Sequence, residues 1–146
     1  MKNERTDFWK SKNYAVVGVS DKKAKFGNSV FKELQKRGYK VFPVNHRLNL
    51  IGDQQCYNSL SEIPDPVDGV IIITGPEGAK KAMGECINKR IKKVWLFPGS
   101  KCDETVNSAK GNKIELICKV CPLLYLEPVK FPHSFHRWIV KLFGKL

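Results

Sequence analysis

The residues best placed to do chemistry lie at 18–27, in the stretch Gly18-Val19-Ser20-Asp21-Lys22-Lys23-Ala24-Lys25-Phe26-Gly27. A glycine at the end of an apolar run lets the backbone turn sharply and approach a ligand oxygen with no Cβ in the way. Ser20 offers a hydroxyl, Lys22, Lys23 and Lys25 offer positive charge, and Gly27 opens a segment of helical pattern. A helix start presents unpaired N–H groups and the positive end of its dipole, and both favour an anion. Phe26 is placed to cover an adenine or to pack beneath the loop. Together these residues read as a phosphate cradle. It matches neither common fingerprint: the glycines stand nine apart with no Lys-Ser or Lys-Thr after the second, and position 20 is Ser where a G-x-G-x-x-G motif needs Gly.

A second group, Val44-Asn45-His46-Arg47, follows the next apolar run. NAD-binding Rossmann domains place an acidic residue there to hold the ribose hydroxyls. This chain has no carboxylate and one fixed positive charge, which suits a phosphorylated ribose: the 2′-phosphate of NADP or the 3′-phosphate of coenzyme A. Signals for catalysis are weaker. His46, His133 and His136 have no carboxylate orienter at a recognisable spacing, and no Ser/His/Asp order stands out. The five cysteines, Cys56, Cys86, Cys102, Cys118 and Cys121, are odd in number and irregular in spacing, which reads as reduced thiols rather than a disulfide framework. Cys118 and Cys121 form a C-x-x-C, but no second ligand pair follows to complete a zinc site, and Pro122 is out of place for a thioredoxin-type pair. The expectation is binding without catalysis, and no metal.

The elements that must position these residues alternate regularly. Residues 14–19 (YAVVGV) form a nearly continuous apolar run, the pattern of a strand buried on both faces. Residues 29–37 place Val30, Phe31 and Leu34 on one helical face before Gly38 stops them. Residues 40–44 (KVFPV) read as a second strand, with Pro43 near its end where a lost N–H is tolerable. Residues 59–63 are at most a short helix, and Pro64 and Pro66 mark a turn. Residues 69–74 (GVIIIT) are the clearest strand, and 77–90 follow as a helix with Ala79, Ala82, Met83, Cys86 and Ile87 inward. A fourth strand at 93–97, a polar helix at 103–110 and a fifth strand at 114–120 complete the series. Strands separated by crossovers of this kind predict a mostly parallel, doubly wound α/β sheet. Ligands bind beyond the carboxyl ends of such strands, here at 18–27, 45–47, 74–77 and 97–100.

Several short motifs stand in order along this frame: Gly18-Val19-Ser20, Lys25-Phe26-Gly27, Pro43-Val44-Asn45, CYNSLSEIP at 56–64, VDGVIIIT at 67–74 and VWLFPG at 94–99. In this order and spacing the chain resembles the CoA-binding domain family. These are small stand-alone proteins similar to the nucleotide-binding N-terminal domain of the succinyl-CoA synthetase α subunit. The resemblance runs over about residues 14–122. It implies a Rossmann-like five-stranded sheet, in the order 3-2-1-4-5, cradling coenzyme A or an acyl-CoA. It places Gly18, Val19, Ser20, Lys25, Phe26 and Gly27 at the phosphates and adenosine. Pro43, Val44 and Asn45 would line the adenosine side, Arg47 would meet the 3′-phosphate, and Ile73 and Thr74 would touch the ligand. Two departures stand out. Stand-alone members often carry R-x-P-E after the third strand where this chain has Thr74-Gly75-Pro76-Glu77, and P-V-N-P becomes P-V-N-H through His46.

The remaining expectations concern the ends and the charge. Residues 1–13 read as a polar N-terminal segment, 14–128 as the domain, and 129–146 as a basic amphipathic helix. In that helix Phe131, Phe135, Trp138, Ile139, Leu142, Phe143 and Leu146 share one face, against His136, Arg137, Lys141 and Lys145. It reads as a helix docked on the sheet or across a homodimer or protein-partner interface, or as a peripheral contact with an anionic membrane. With 26 Lys+Arg against 14 Asp+Glu the net charge is +12, which favours polyanionic partners. No nucleic-acid-binding motif is readable, so no specific nucleic acid is expected. The start of the chain has no apolar h-region, so the cytoplasm is the expected location. The alternatives to CoA binding are an NADP-dependent oxidoreductase or redox-sensing domain, and an unspecific binder of nucleic acid or anionic membrane.

Overall fold

A computed structural model describes residues 8–20, 26–97 and 103–118. In chain order the elements are β1 (Asn13–Val17), α1 (Phe26–Lys36), β2 (Lys40–Val44), β3 (Leu50–Ile51), β4 (Gln54–Gln55), β5 (Gly69–Ile72), α2 (Pro76–Asn88), β6 (Lys93–Leu96), α3 (Asp103–Gly111) and β7 (Glu115–Cys118). Single 3-10 turns lie at Phe8–Lys10 and Leu60–Glu62. Five strands form one parallel sheet, ordered β2-β1-β5-β6-β7, and β3 and β4 form a separate antiparallel ribbon. The architecture is a Rossmann-like α/β sheet, as the alternation of apolar runs and helical stripes predicts.

The strand order differs from the expected 3-2-1-4-5. Counting only the five sheet strands, it is 2-1-3-4-5, because β5 pairs with β1 rather than with β2. The physical reason lies in the two strands concerned. All four residues of β5 are buried, so this strand needs a neighbour on each side. β2 carries Pro43 and fits an edge. The Pro43 carbonyl faces outward to accept the Tyr57 amide at 2.9 Å, and its missing N–H lies on that same outer side. The crossover from β2 to β5 contains no α-helix. It runs through the β3–β4 ribbon and the 3-10 turn at Leu60–Glu62, whose fully buried Leu60 caps one face of the sheet.

Alternate strand residues serve opposite faces. On one face Tyr14, Val16, Val41, Ile71, Trp95 and Ile117 pack against Val30, Phe31 and Leu34 of α1. Phe8 and Trp9 close this face: their rings lie 5.2 and 5.6 Å from Trp95, and Tyr14 Oη donates to the Phe8 carbonyl at 2.7 Å. Phe8 and Trp9, assigned from sequence to a polar N-terminal segment, thus belong to the core. The other face is aliphatic: Ala15, Phe42, Val70, Ile72, Val94 and Leu96 meet Leu60, Ile63, Ala79, Ala82, Met83 and Cys86. Burial pushes the Cys86 thiol up to about 12 and the Cys56 thiol above its ordinary value, so both stay protonated. Cys102, Cys121 and the whole of 129–146 lie outside the described residues.

The three α-helices among the described residues end alike. In each, one amide bonds five residues back (Tyr39 to Leu34, Ile91 to Cys86, Ile114 to Ala109) and the preceding amide bonds three back. This Schellman pattern puts Gly38, Arg90 and Lys113 in left-handed backbone, at φ 89°, 59° and 58°. No helix among the described residues is long and apolar enough to cross a membrane.

Candidate functional site

In a doubly wound sheet the winding direction reverses where consecutive connections leave on opposite sides, and a crevice opens there at the carboxyl ends of the strands. With the observed order this point falls between β1 and β5. A cleft of about 480 Å³ opens at that place. Its floor is formed by Val17, Gly18, Val19 and Ser20 after β1, by Val44, Asn45 and His46 at the end of β2, and by Ile73 and Thr74 after β5. Asn58 closes one side, and Gly78, Lys81, Ala82 and Glu85 of α2 form the far wall.

Two glycines make this floor possible. Gly18 sits at φ 118°, and a Cβ there would lie 1.9 Å from the Ile73 carbonyl oxygen. Its own amide donates to the Val44 carbonyl at 3.2 Å, so the turn is pinned between the ends of the neighbouring strands. Gly27, in the first turn of α1, comes so close that a Cβ would stand 2.3 Å from the Gly18 carbonyl oxygen. The start of α1 is therefore held directly against the turn, and neither approach tolerates a side chain.

Asparagines then fix the loops. Asn28 is 4% exposed; its Oδ1 accepts from the Ser20 amide at 2.7 Å and its Nδ2 donates to the Ser20 carbonyl at 2.5 Å. Asn45 Nδ2 donates to the Val19 carbonyl at 2.7 Å, and its Oδ1 accepts from the Arg47 amide at 2.8 Å. Asn58 Nδ2 donates to the carbonyls of Asn45 and Leu48. Glu85 Oε2 accepts from both the amide and the hydroxyl of Ser61. Amide side chains suit this task because each offers a donor and an acceptor to the main chain at once.

Of the residues expected at the site, the fold brings Gly18, Val19, Ser20, Val44, Asn45, Ile73 and Thr74 to the cleft. Gly27 lies just behind the turn. Pro43 faces the edge of the sheet, and Arg47 sits beside the cleft with its Nε donating to His46 Nε2 at 3.1 Å. Phe26 opens α1, and Lys22, Lys23 and Lys25 lie outside the described residues. Sequence reasoning passed over Asn28, Asn58, Gly78, Lys81, Ala82 and Glu85. Lys81 and Glu85, four apart on α2, share the helical face next to the inward Ala82, and that spacing was the available signal. Among the described residues no group of three or more His, Cys, Asp or Glu is placed to hold a metal ion.

Comparison with known proteins agrees with this geometry. The profile of the CoA binding domain matches residues 12–127. The α subunit of ADP-forming acetate–CoA ligase II from Pyrococcus furiosus is 34% identical over 111 residues, covering 75% of this chain and 24% of that subunit. The chain thus spans about a quarter or less of the length of the ligases it matches. An uncharacterized protein of Bacillus subtilis, YneT, is 28% identical over 112 residues and is matched along 83% of its length. Among solved structures, a hypothetical protein from Pyrococcus horikoshii superposes with a TM-score of 0.80 at 27% identity, over 86% of this chain and 89% of that one. The glycine turn against the neighbouring strand, the crevice at the switch point and a profile match over most of the sequence lead to one assignment: this chain belongs to the CoA-binding domain family.

Proposed function

We propose that the cleft binds coenzyme A or an acyl-CoA, with ligand phosphates at the 18–20 turn and the start of α1, and that the chain itself carries out no chemistry on it. The observation that carries this reading is the pair of glycine approaches, Gly18 against Ile73 and Gly27 against Gly18. Together they present bare backbone and a helix start to an anion, which is the arrangement phosphates favour. The cleft side chains support binding over catalysis, because Asn45, Asn58 and Glu85 are occupied in holding the loops. In this reading Val44, Asn45 and His46 flank the adenosine, Arg47 stands at its rim, and Lys25 and Phe26 are assigned to the phosphates and adenosine. Work in the cytoplasm, and a protein partner or second copy engaged through 129–146, belong to the same proposal.

The test is calorimetry and thermal unfolding with CoA, acetyl-CoA and NADP. At a hundredfold excess over the dissociation constant, a ligand of the native state adds about 2.7 kcal/mol of stability. The expected result is saturable CoA binding with a raised melting temperature and no effect of NADP. A shift with NADP and none with CoA or acetyl-CoA overturns the proposal and revives the oxidoreductase alternative.

A further inference from the structure

The polar side chains around the cleft divide into two kinds. Asn45, Asn58 and Glu85 are bound to the main chain or to Ser61, Thr74 Oγ1 donates to the Gly75 carbonyl, and His46 accepts from Arg47. Lys81 is different: it lines the cleft and is the one charged lining side chain with no hydrogen bond or ion pair among the described residues. Its sequence neighbour Lys80 turns the other way and pairs with Glu104 at 2.5 Å. The usual partner for Lys81 would be Glu85, four residues on along α2, since oppositely charged side chains at that spacing attract. Glu85 instead directs its carboxylate to the amide and hydroxyl of Ser61, at 3.2 and 3.1 Å. An ammonium left without its intrahelical partner, in the same cleft as the Cβ-free turn at Gly18, brings positive charge to the crevice.

We infer that Lys81 is the anion anchor of the cleft, a specificity-determining residue that pairs with a phosphate of the bound nucleotide. The choice of CoA as the ligand rests on the function proposed above, whereas the anion preference rests on Lys81 and its surroundings alone. CoA carries phosphate at two places, the diphosphate and the ribose 3′-position, and a lysine meets either as a point charge.

The experiment is calorimetric titration of the full chain and its Lys81→Gln and Lys81→Arg variants with CoA, dephospho-CoA and inorganic pyrophosphate. Lys81→Gln is expected to weaken CoA binding by about tenfold, the scale of one charge-assisted contact, and Lys81→Arg to restore most of it. The melting temperature of the ligand-free protein should not move, because Lys81 is exposed and makes no hydrogen bond or ion pair among the described residues. If Lys81→Gln weakens CoA but leaves dephospho-CoA unchanged, the 3′-phosphate is the partner; equal weakening of both identifies the diphosphate. Either supports the inference. Lys81→Gln binding CoA and pyrophosphate as tightly as the unaltered chain overturns it. Pyrophosphate binding that depends on Lys81, without CoA binding, keeps the anchor and overturns the CoA reading; no binding of any of the three overturns both.

Discussion

The two ends of the parallel sheet solve the same backbone problem differently. At the carboxyl ends of the strands, left-handed backbone occurs at Gly18, where the Ile73 carbonyl would meet a Cβ at 1.9 Å. At the amino ends it occurs at Gly38, Arg90 and Lys113, three equivalent positions in three Schellman helix ends. Nothing lies within 4 Å of a Cβ added at Gly38, and at the other two positions the chain carries long side chains. A left-handed turn alone therefore does not demand glycine here. Close approach to another segment does. The contrast extends to charge, since Arg90 and Lys113 stand at helix carboxyl ends where a cation complements the dipole, while the cleft end presents the start of α1.

The largest effect is expected from Gly18→Ala, which combines an unfavourable φ with a backbone clash. A loss of about 3 kcal/mol in urea unfolding, with no measurable CoA binding, would separate the cleft end from the rest. Asn28→Ala should come next. It removes the two bonds from buried Asn28 to the half-buried Ser20 amide and carbonyl, for about 2 kcal/mol and at least about tenfold weaker CoA binding. Tyr14→Phe, at the amino end, removes the bonds to the Phe8 carbonyl and from the Ser11 amide. It should destabilise by about 1 to 2 kcal/mol with CoA affinity unchanged. If it weakens CoA binding as Asn28→Ala does, the two ends are not independent.

Stability should also fall in alkali through groups away from the cleft floor. The folded Cys86 thiol holds its proton up to about 12, against 9.0 for an exposed thiol, and burial raises the Tyr14 phenol above its ordinary 10.0. Above pH 9 the unfolded chain binds fewer protons than the folded one, so stability declines as pH rises, by up to about 1.4 kcal/mol per pH unit for each group. Cys86→Ala should remove the part that begins near pH 9 in thermal melts recorded from pH 8 to 11. The smallest effect is expected from Arg90→Gly and Lys113→Gly. Each relieves left-handed strain but loses a cation at a helix end, for a net gain under about 1 kcal/mol in chemical unfolding. A loss of stability in either variant would mean that these side chains hold more than a helix end.

Much of the fold was legible because its signals are local. The apolar runs that became β1, β5 and β6 and the stripe Val30, Phe31, Leu34 of α1 carry their period in neighbouring residues. Gly18 announced a sharp turn by its place after such a run. The ribbon of β3 and β4 escaped notice because two residues per strand are too few to show a period. Phe8 and Trp9 were hidden among charged neighbours, and only the ring cluster with Tyr14 and Trp95 accounts for them.

By itself the sequence determined that this chain forms a parallel α/β sheet with a glycine turn after its first strand, since strand and helix periods and a Cβ-free position act over a few residues. Tertiary structure decided the strand order, because which strand lies beside β1 depends on burial and on an edge for Pro43, and neither is a local property. It also decided which polar residues build the cleft and which one is left for a ligand. Asn45 and Val19 are 26 residues apart and Ser61 and Glu85 are 24 apart, so those bonds exist only once the chain has folded. Lys81 stands out only because Glu85 is taken.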